Sequence, residues 1–206
     1  MLEHIPHWLG AALRGVRAGV EKLAIAQESL GRFEPLVLAS PAFNDGGRLP
    51  DRFTADGAGV SPPLHWRDPP AGTARLALLV EDADSPTPQP LVHAVLWGLP
   101  PLAGQLAEGA ITADGGGDGQ GRDVGRNSYL SEGWLPPDPP TGHGEHRYAF
   151  QLFALSGDAP DPGRDPGRAA LVEAMTGRVL AAGVLIGAYS REDPAAVGPV
   201  GAGATA

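Results

Sequence analysis

The residues best suited to chemistry in this sequence lie where polar segments meet apolar runs. Asp82 and Asp84 follow one apolar run, His93 stands near the start of a second, and His146 and Tyr148 lead into a third. Two imidazoles and a phenol can donate hydrogen bonds to a phosphate or carboxylate without a metal. An aspartate near the histidines would favour their protonated or correct tautomeric forms. If the three runs are neighbouring strands, these side chains converge on one small anion-binding cleft.

Each of these residues also has an ordinary structural explanation. An aspartate before Ser-Pro commonly forms a turn, and a single histidine such as His93 is more often a satisfied core residue. Tyr148, beside an apolar run, is typical of a core. The functional interpretation therefore depends on convergence, because no residue carries it alone.

The elements that must bring these residues together are mostly strands. Short apolar runs bounded by Gly and Pro are typical of buried strands. They are predicted at residues 32–39, 75–81, 92–99, 149–155 and 184–189. Pro35 suits an edge strand. Helical spacing predicts an amphipathic N-terminal helix at residues 5–23 and a second helix near residues 168–182.

Length and composition fit one domain. A chain of 206 residues can bury one sizeable core, and its 22 prolines and 30 glycines lie between the apolar runs. The lack of alternating helix crossovers favours a mainly β, mostly antiparallel fold. We predict an N-terminal helical extension at residues 1–30, a β domain at residues 31–193 and a disordered tail at residues 194–206.

Bulk properties argue against several functional classes. The net charge is −9 and the 15 basic residues are scattered, so nucleic-acid binding is not expected. The chain has no cysteine, which excludes disulfides, thiolate metal sites and a cysteine nucleophile. No apolar run approaches the roughly 20 residues of a membrane span, and the N-terminus lacks the basic start and apolar core of a signal peptide. We therefore expect a cytoplasmic protein without a membrane span.

Six sequence blocks, taken in order, carry a resemblance that no single residue does. They are FTADGAGVSPPLHW (53–66), EDADSP (81–86), VHAVLWGLP (92–100), GRDVGRNSY (121–129), GWLPP (133–137) and GEHRYAFQLFAL (144–155). Together they resemble the phosphatidylethanolamine-binding protein family, and more closely its bacterial Raf-kinase-inhibitor-like branch. The resemblance covers roughly residues 33–192, and several ordered blocks are far more specific than any one of them.

The resemblance implies a large central antiparallel sheet, a smaller sheet packed on it and an anion-binding pocket at the strand ends. It also implies the residues of that pocket. They are Asp82, His93, the His146 and Tyr148 of a G-x-H-R-Y block, the Asp84 and Pro86 of a D-x-D-x-P loop, Gly133, and the Pro136 and Pro137 of a proline pair. We expect neither a cofactor nor a metal.

Several residues around the expected pocket depart from the family pattern. Ala83 replaces a central proline, and Leu91 stands where an aromatic residue is common. Trp134 and Leu135 stand where a Pro-Cys pair is usual, and Gly98 replaces an asparagine. These departures change the expected width of the pocket and its ligand preference.

We therefore expect a non-enzymatic protein that binds small phosphorylated or anionic ligands similar to phospholipid head groups, with a regulatory role like that of a kinase inhibitor. One alternative is an enzyme in which Asp82, His93 and His146 form a two-histidine, one-carboxylate metal site. The HGEH spacing does not place ligands on one helix face, and no G-x-S-x-G motif occurs. Another alternative is an inhibitor of a partner protein with a vestigial pocket. The N-terminal helix makes a homodimer plausible.

Overall fold

A computed structural model describes residues 7–114 and 123–191 of the chain. The described residues form a large sheet, a smaller three-stranded sheet and two short α-helices. In chain order the elements are α1 His7–Ala12, β1 Glu34–Pro35, β2 Val37–Ala39, β3 Gly47–Arg48, β4 Leu64–Arg67, β5 Thr73–Asp82, β6 Leu91–Leu99, β7 Gly104–Leu106, β8 Asp123–Val124, β9 His146–Ser156, α2 Arg168–Met175 and β10 Val179–Tyr189. The predicted tail at residues 194–206 lies outside the described residues.

The long strands of the large sheet run antiparallel. The sheet has the order β1-β10-β9-β5-β6-β8, with β3 also paired to β10, and the smaller sheet has the order β2-β4-β7. Strands β5, β6 and β9 are buried along most of their length. Strands covered on both faces read as continuous apolar runs rather than alternating ones. The predicted mainly β fold with a large and a smaller sheet is confirmed.

Two short strands add parallel pairs to the otherwise antiparallel large sheet. Strands β1 and β3 both pair parallel to β10. Parallel pairing requires a long connection, and most of the chain lies between these strands and β10. Pro35 lies in β1 at the sheet edge, the position that tolerates a residue without an N–H. The single strand predicted at residues 32–39 is therefore divided between the two sheets.

Hydrophobic cores cover both faces of the large sheet. The core between the two sheets includes Trp66, Tyr148 and Phe150. The core on the other face includes Leu30 of the N-terminal segment and Met175 of α2. Because both faces are packed, the strand ends are held in fixed positions.

The N-terminal segment contains much less α-helix than its spacing predicts. Within the described residues helix α1 spans His7–Ala12, and Trp8 within it is 69% exposed instead of packed in a core. Gly19 has a φ of +104°, which interrupts regular helix. The rest of the segment forms 3-10 turns at Val20–Lys22, Ala24–Ala26 and Glu28–Leu30.

Contacts with the large sheet explain this irregular path. The N–H of Ala24 donates to Glu81 Oε2 at 2.8 Å. The N–H of Ile25 donates to Gln151 Oε1 at 2.8 Å. These buried side chains replace the carbonyl partners that an α-helix would supply. We call residues 7–31 the N-terminal strap.

Helix α2 is present where predicted but ends early, at Met175. Gly177 has a φ of +66°, a left-handed conformation that commonly ends a helix. The chain then enters β10 at Val179, so the last predicted helical turns are strand. Within the described residues, no helix is long and apolar enough to cross a membrane.

Candidate functional site

Three neighbouring strands bring the candidate residues to one end of the large sheet. Strand β5 lies between β6 and β9. Asp82 at the end of β5 is paired with Leu91 of β6 and Tyr148 of β9. His93 lies two residues after Leu91 on β6, and His146 lies two residues before Tyr148 on β9. Paired residues on adjacent strands lie about 5 Å apart, so the sheet register alone groups these side chains.

A cavity of about 440 Å³ opens at these strand ends. The predicted site residues that line it are Asp82, Pro86, His93, Pro136 and His146. The rest of the wall is mainly apolar, with two hydroxyls, a phenol and a carboxylate: Ala55, Ser85, Thr87, Leu91, Tyr129, Leu135, Asp138, Pro139 and Pro140. This size and this mixture of apolar wall and few polar groups suit a small-molecule ligand.

Four predicted site residues, Pro137 among them, do not line the cavity. Tyr148 is fully buried beside it, with its ring edge-on to His93 at a centroid distance of 5.0 Å. Asp84 is buried in the loop that follows β5. Gly133 lines a separate groove, where its φ of +93° favours glycine. Its carbonyl accepts a hydrogen bond from Asn127 Nδ2, which gives Gly133 a backbone role next to the site.

Asp84 anchors the loop that carries Asp82. The Asp84 N–H donates to Asp82 Oδ1 at 2.8 Å. Arg147 donates to the Asp84 carboxylate from Nε at 2.7 Å and from Nη2 at 2.8 Å, and Arg17 forms an ion pair with it at 2.8 Å. Burial raises the pKa of Asp84, but the hydrogen bonds from the two arginines outweigh burial and hold this pKa at about 2.

A chain of hydrogen bonds connects Asp82 to the N-terminal strap. His146 Nδ1 lies 2.7 Å from Asp82 Oδ2, and His146 Nε2 lies 2.7 Å from His143 Nδ1. His143 Nε2 lies 2.8 Å from the carbonyl oxygen of Leu13 and 3.1 Å from that of Val16. We call Asp82, His146 and His143 the histidine relay.

The acceptors at both ends of the histidine relay determine where its protons lie. Carbonyl oxygens only accept, so His143 Nε2 must carry a hydrogen. Burial lowers the pKa of His143, so its ring is neutral and its Nδ1 accepts from His146 Nε2. The other nitrogen of His146 faces the Asp82 carboxylate. One hydrogen therefore lies between Asp82 Oδ2 and His146 Nδ1, and both nitrogens of His146 are committed to protein partners.

His93 lines the cavity and has one unpaired nitrogen among the described residues. Its Nδ1 lies 2.6 Å from the carbonyl oxygen of Leu135 and donates to it. Its Nε2 is buried and has no hydrogen-bond partner among the described residues. Burial lowers the pKa of His93, so the ring is neutral and Nε2 is an acceptor. Buried polar atoms are nearly always paired, which makes this atom a candidate ligand contact.

Tyr148 has a second unpaired polar atom beside the cavity. Its Oη is buried and has no hydrogen-bond partner within residues 7–114 and 123–191. Burial raises the pKa of Tyr148 well above its usual range, so the phenol is protonated and can donate. Its ring also stacks on His146 at a centroid distance of 6.4 Å, and this packing fixes the position of the hydroxyl.

The departure at Ala83 has a physical explanation. The N–H of Ala83 donates to the carbonyl of Arg147 at 3.1 Å, and its carbonyl accepts from the N–H of Gly19 at 2.8 Å. A proline would lack the first of these bonds. Ala83 therefore joins β9 to the N-terminal strap.

Trp134 and Leu135, which differ from the family pattern, lie next to His93 and help to hold the site in place. Trp134 donates from Nε1 to the carbonyl of Phe53 at 3.1 Å, and its ring stacks on Phe150. The Leu135 N–H donates to the His93 carbonyl at 2.8 Å, while the Leu135 carbonyl accepts from His93 Nδ1. Leu135 thus fixes the orientation of the histidine from both its backbone groups.

Two of the side chains at this site that the sequence analysis did not predict are His143 and Asp138. His143 was visible only as part of an HGEH sequence that resembles a metal motif, and its link to His146 depends on the turn between them. Asp138 lines the cavity and forms an ion pair with Arg191 at 2.6 Å. It lies between prolines, and no local signal separates it from an ordinary loop aspartate.

The alternative of a two-histidine, one-carboxylate metal site finds no support in the geometry. Within residues 7–114 and 123–191, no three His, Asp or Glu side chains are grouped so that they could hold a metal ion. Metal-binding nitrogens need an available lone pair, and both nitrogens of His146 are engaged in the histidine relay.

Comparison with known proteins decides the family. A family model described as phosphatidylethanolamine-binding protein matches residues 39–190. The chain belongs to the phosphatidylethanolamine-binding protein family. The resemblance predicted from the ordered sequence blocks is thereby confirmed, and the N-terminal strap precedes the matched region.

Relatives in the phosphatidylethanolamine-binding protein family match most of this chain. A UPF0098 protein of Methanothermobacter thermautotrophicus is 39% identical over 155 residues, which cover 75% of this chain and 98% of the relative. The homologue CT736 of Chlamydia trachomatis, a solved structure, is 32% identical with a TM-score of 0.67, and the match covers 77% of this chain and 99% of CT736. The Escherichia coli protein YbcL shares the fold, with a TM-score of 0.70 at 24% identity over 76% of this chain and 99% of YbcL.

One relative bears on cellular location. LppC of Mycobacterium tuberculosis, whose name describes a lipoprotein, is 42% identical over 122 residues, or 59% of this chain and 56% of LppC. A cytoplasmic location for the present protein stays a prediction.

Proposed function

We propose that this protein is a non-enzymatic binding protein for small phosphorylated or anionic ligands, which it holds in the cavity at the ends of β5, β6 and β9. The observation that carries the proposal is His93, which lines the cavity and whose buried Nε2 has no hydrogen-bond partner among the described residues. Leaving such an atom unpaired costs about 1 to 3 kcal/mol. A ligand that pairs with it recovers this free energy.

The shape and polarity of the cavity support a ligand with a polar head and a small apolar part. Asp82, His93 and His146 come from the adjacent ends of three strands, whereas leucine and proline side chains form much of the remaining wall. Phosphomonoesters and short carboxylates both combine a polar, charged head with a small apolar part. An aspartate near the head could also accept a hydrogen bond from an ammonium group, as in phosphoethanolamine.

The arrangement of the site favours binding over catalysis. A general base needs a free lone pair within reach of its substrate, and His146 has both nitrogens engaged. The hydroxyl of Ser85 lies 2.7 Å from Thr87 Oγ1 and 3.2 Å from the Asp82 carbonyl, and among the described residues no imidazole is hydrogen-bonded to it to activate it. Ser85 is therefore not activated as a nucleophile, and the free lone pair of His93 Nε2, which has no hydroxyl partner among the described residues, serves in this proposal as a ligand contact.

Calorimetric titration with phosphate, phosphoethanolamine and acetate near pH 6 tests the proposal. We expect saturable binding of at least one of them, and at least tenfold weaker binding by the His93→Ala variant. His65→Ala is the matched control, because His65 lies on β4 away from the cavity and its loss should leave affinity unchanged. Absence of binding by the parent protein would refute the proposal and favour an interaction protein with a vestigial pocket.

A further inference from the structure

Both carboxylates of the cavity wall have protein partners of their own. Asp82 Oδ2 lies 2.7 Å from His146 Nδ1 and forms an ion pair with it when that ring is protonated. Asp138, the other carboxylate of the wall, is paired with Arg191 at 2.6 Å. The cavity therefore offers an incoming anion no unbalanced positive charge from these groups.

The unpaired atoms beside these ion pairs do not suit a fully deprotonated anion. Tyr148 Oη can donate one hydrogen bond, but the neutral His93 ring presents a lone pair at Nε2. An anionic oxygen and this lone pair both accept, so they cannot form a hydrogen bond with each other. One proton placed between them would convert this repulsion into a charge-assisted hydrogen bond.

We propose that the site takes up one proton with each anion that it binds, and that this proton lies between His93 Nε2 and a ligand oxygen. The inference rests on the proposed function and adds a regulation to it, because binding becomes sensitive to pH. Leu135 makes the assignment specific: its carbonyl holds the Nδ1 hydrogen, so that only Nε2 can accept the added proton.

The groups that face His93 come from all sides of the site. Asp82 of β5 favours the protonated ring, whereas His146 of β9 disfavours it. Tyr148 of β9 is a neutral phenol, and Asp138, from the loop before β9, is already in an ion pair. Burial lowers the pKa of His93 in the free protein, and a bound anion raises this pKa by its opposite charge. Proton uptake and anion binding therefore strengthen each other.

Two chemical classes of ligand would meet this requirement differently. A phosphomonoester has a second pKa of about 6, so it can bring the proton in its monoanionic form. A carboxylate carries no proton near neutral pH, so the proton must come from solvent. Both routes place the same proton between His93 and the ligand.

Titration calorimetry in buffers of different ionisation enthalpy counts the protons. Phosphoethanolamine and acetate are suitable probes, because their acidic groups do not titrate appreciably between about pH 7 and about pH 8.5. We expect uptake of close to one proton per ligand, with affinity falling about tenfold for each pH unit in this range. In His93→Gln the amide donates without titrating, so proton uptake should fall to near zero and affinity should become independent of pH.

Two further variants complete the design. His93→Asn, which keeps a donor for the Leu135 carbonyl, replaces His93→Gln if that variant does not fold, and should also lose proton uptake. His65→Gln should retain uptake of one proton. Ligand binding without proton uptake, or uptake that persists in both His93 variants, overturns this inference but leaves the proposed function standing. No binding at any pH between about 5.5 and about 8.5 overturns both.

Discussion

Replacing Asp84 by asparagine removes a buried negative charge that two arginines share, while keeping the size of the side chain. The structure holds the pKa of Asp84 at about 2, compared with an ordinary value of 3.8. By linkage, the charged form stabilises the fold by about 2 kcal/mol at neutral pH. Arg147 and Arg17 are partly exposed, with 47% and 32% of their side-chain surfaces accessible, so solvent can rehydrate them and the loss stays near this value.

The sign of the pH dependence follows from the lowered pKa. The stabilisation by Asp84 is complete above pH 3.8 and is lost as the pH falls through about 2, because the carboxylate is then protonated in the folded state as well. Urea unfolding of the parent protein and of Asp84→Asn should therefore differ by about 2 kcal/mol at pH 7, and this difference should shrink below pH 4.

Asp51→Asn is the matched control for Asp84→Asn. Asp51 pairs with Arg48 at 3.2 Å, but both side chains are exposed, so the change should be within about 0.5 kcal/mol. If Asp84→Asn costs no more than this control, or if its effect is the same at pH 3 and pH 7, the anchoring role of Asp84 is refuted.

Three further substitutions test other parts of the structure. Ala83→Pro removes the N–H that donates to the Arg147 carbonyl, and thermal unfolding should show a loss of about 1 to 3 kcal/mol; an unchanged Tm would contradict this. His143→Phe removes the donor to the strap carbonyls, so hydrogen exchange of amides in the N-terminal strap should become faster while β9 stays protected. Arg168→Met leaves the buried carboxylate of Glu81 without its ion-pair partner, and urea unfolding should show a loss of about 3 kcal/mol; a loss below about 1 kcal/mol would show that Gln151 and the strap amide suffice.

The sheet and the convergence of its strand ends could be predicted because both depend on local patterns. The apolar runs before Asp82 and after Tyr148 are continuous, since β5 and β9 are covered on both faces. Once those strands are neighbours, pairing places Asp82 opposite Tyr148. His93 then needs only the adjacent strand β6 to reach the same cavity.

The course of the N-terminal strap could not be predicted from its own sequence. Its spacing indicates a helix, but Glu81 and Gln151 supply acceptors from positions 57 and 126 residues away along the chain. The same limit applies to His143, whose side chain contacts His146 on β9 and the carbonyls of Leu13 and Val16 in the N-terminal strap. A periodic pattern reports which residues are apolar, and it does not report distant buried acceptors. A homodimer formed through this segment stays a prediction.

The family resemblance predicted residues that lie near the site, but not all of them line the cavity. Asp84 and Gly133 occupy matched positions, yet the first anchors a loop and the second lines a neighbouring groove. Side-chain direction and backbone conformation decide between these roles, and a sequence block specifies neither.

Nitrogen-15 NMR of the histidine side chains during a titration with phosphoethanolamine tests the central claim most directly. We expect His93 Nε2 to change from an unprotonated acceptor to a protonated nitrogen as the ligand saturates, while the signals of His65 do not move. A saturating titration that leaves the His93 signals unchanged would refute the proposal, because the unpaired nitrogen of His93 would then not contact the ligand.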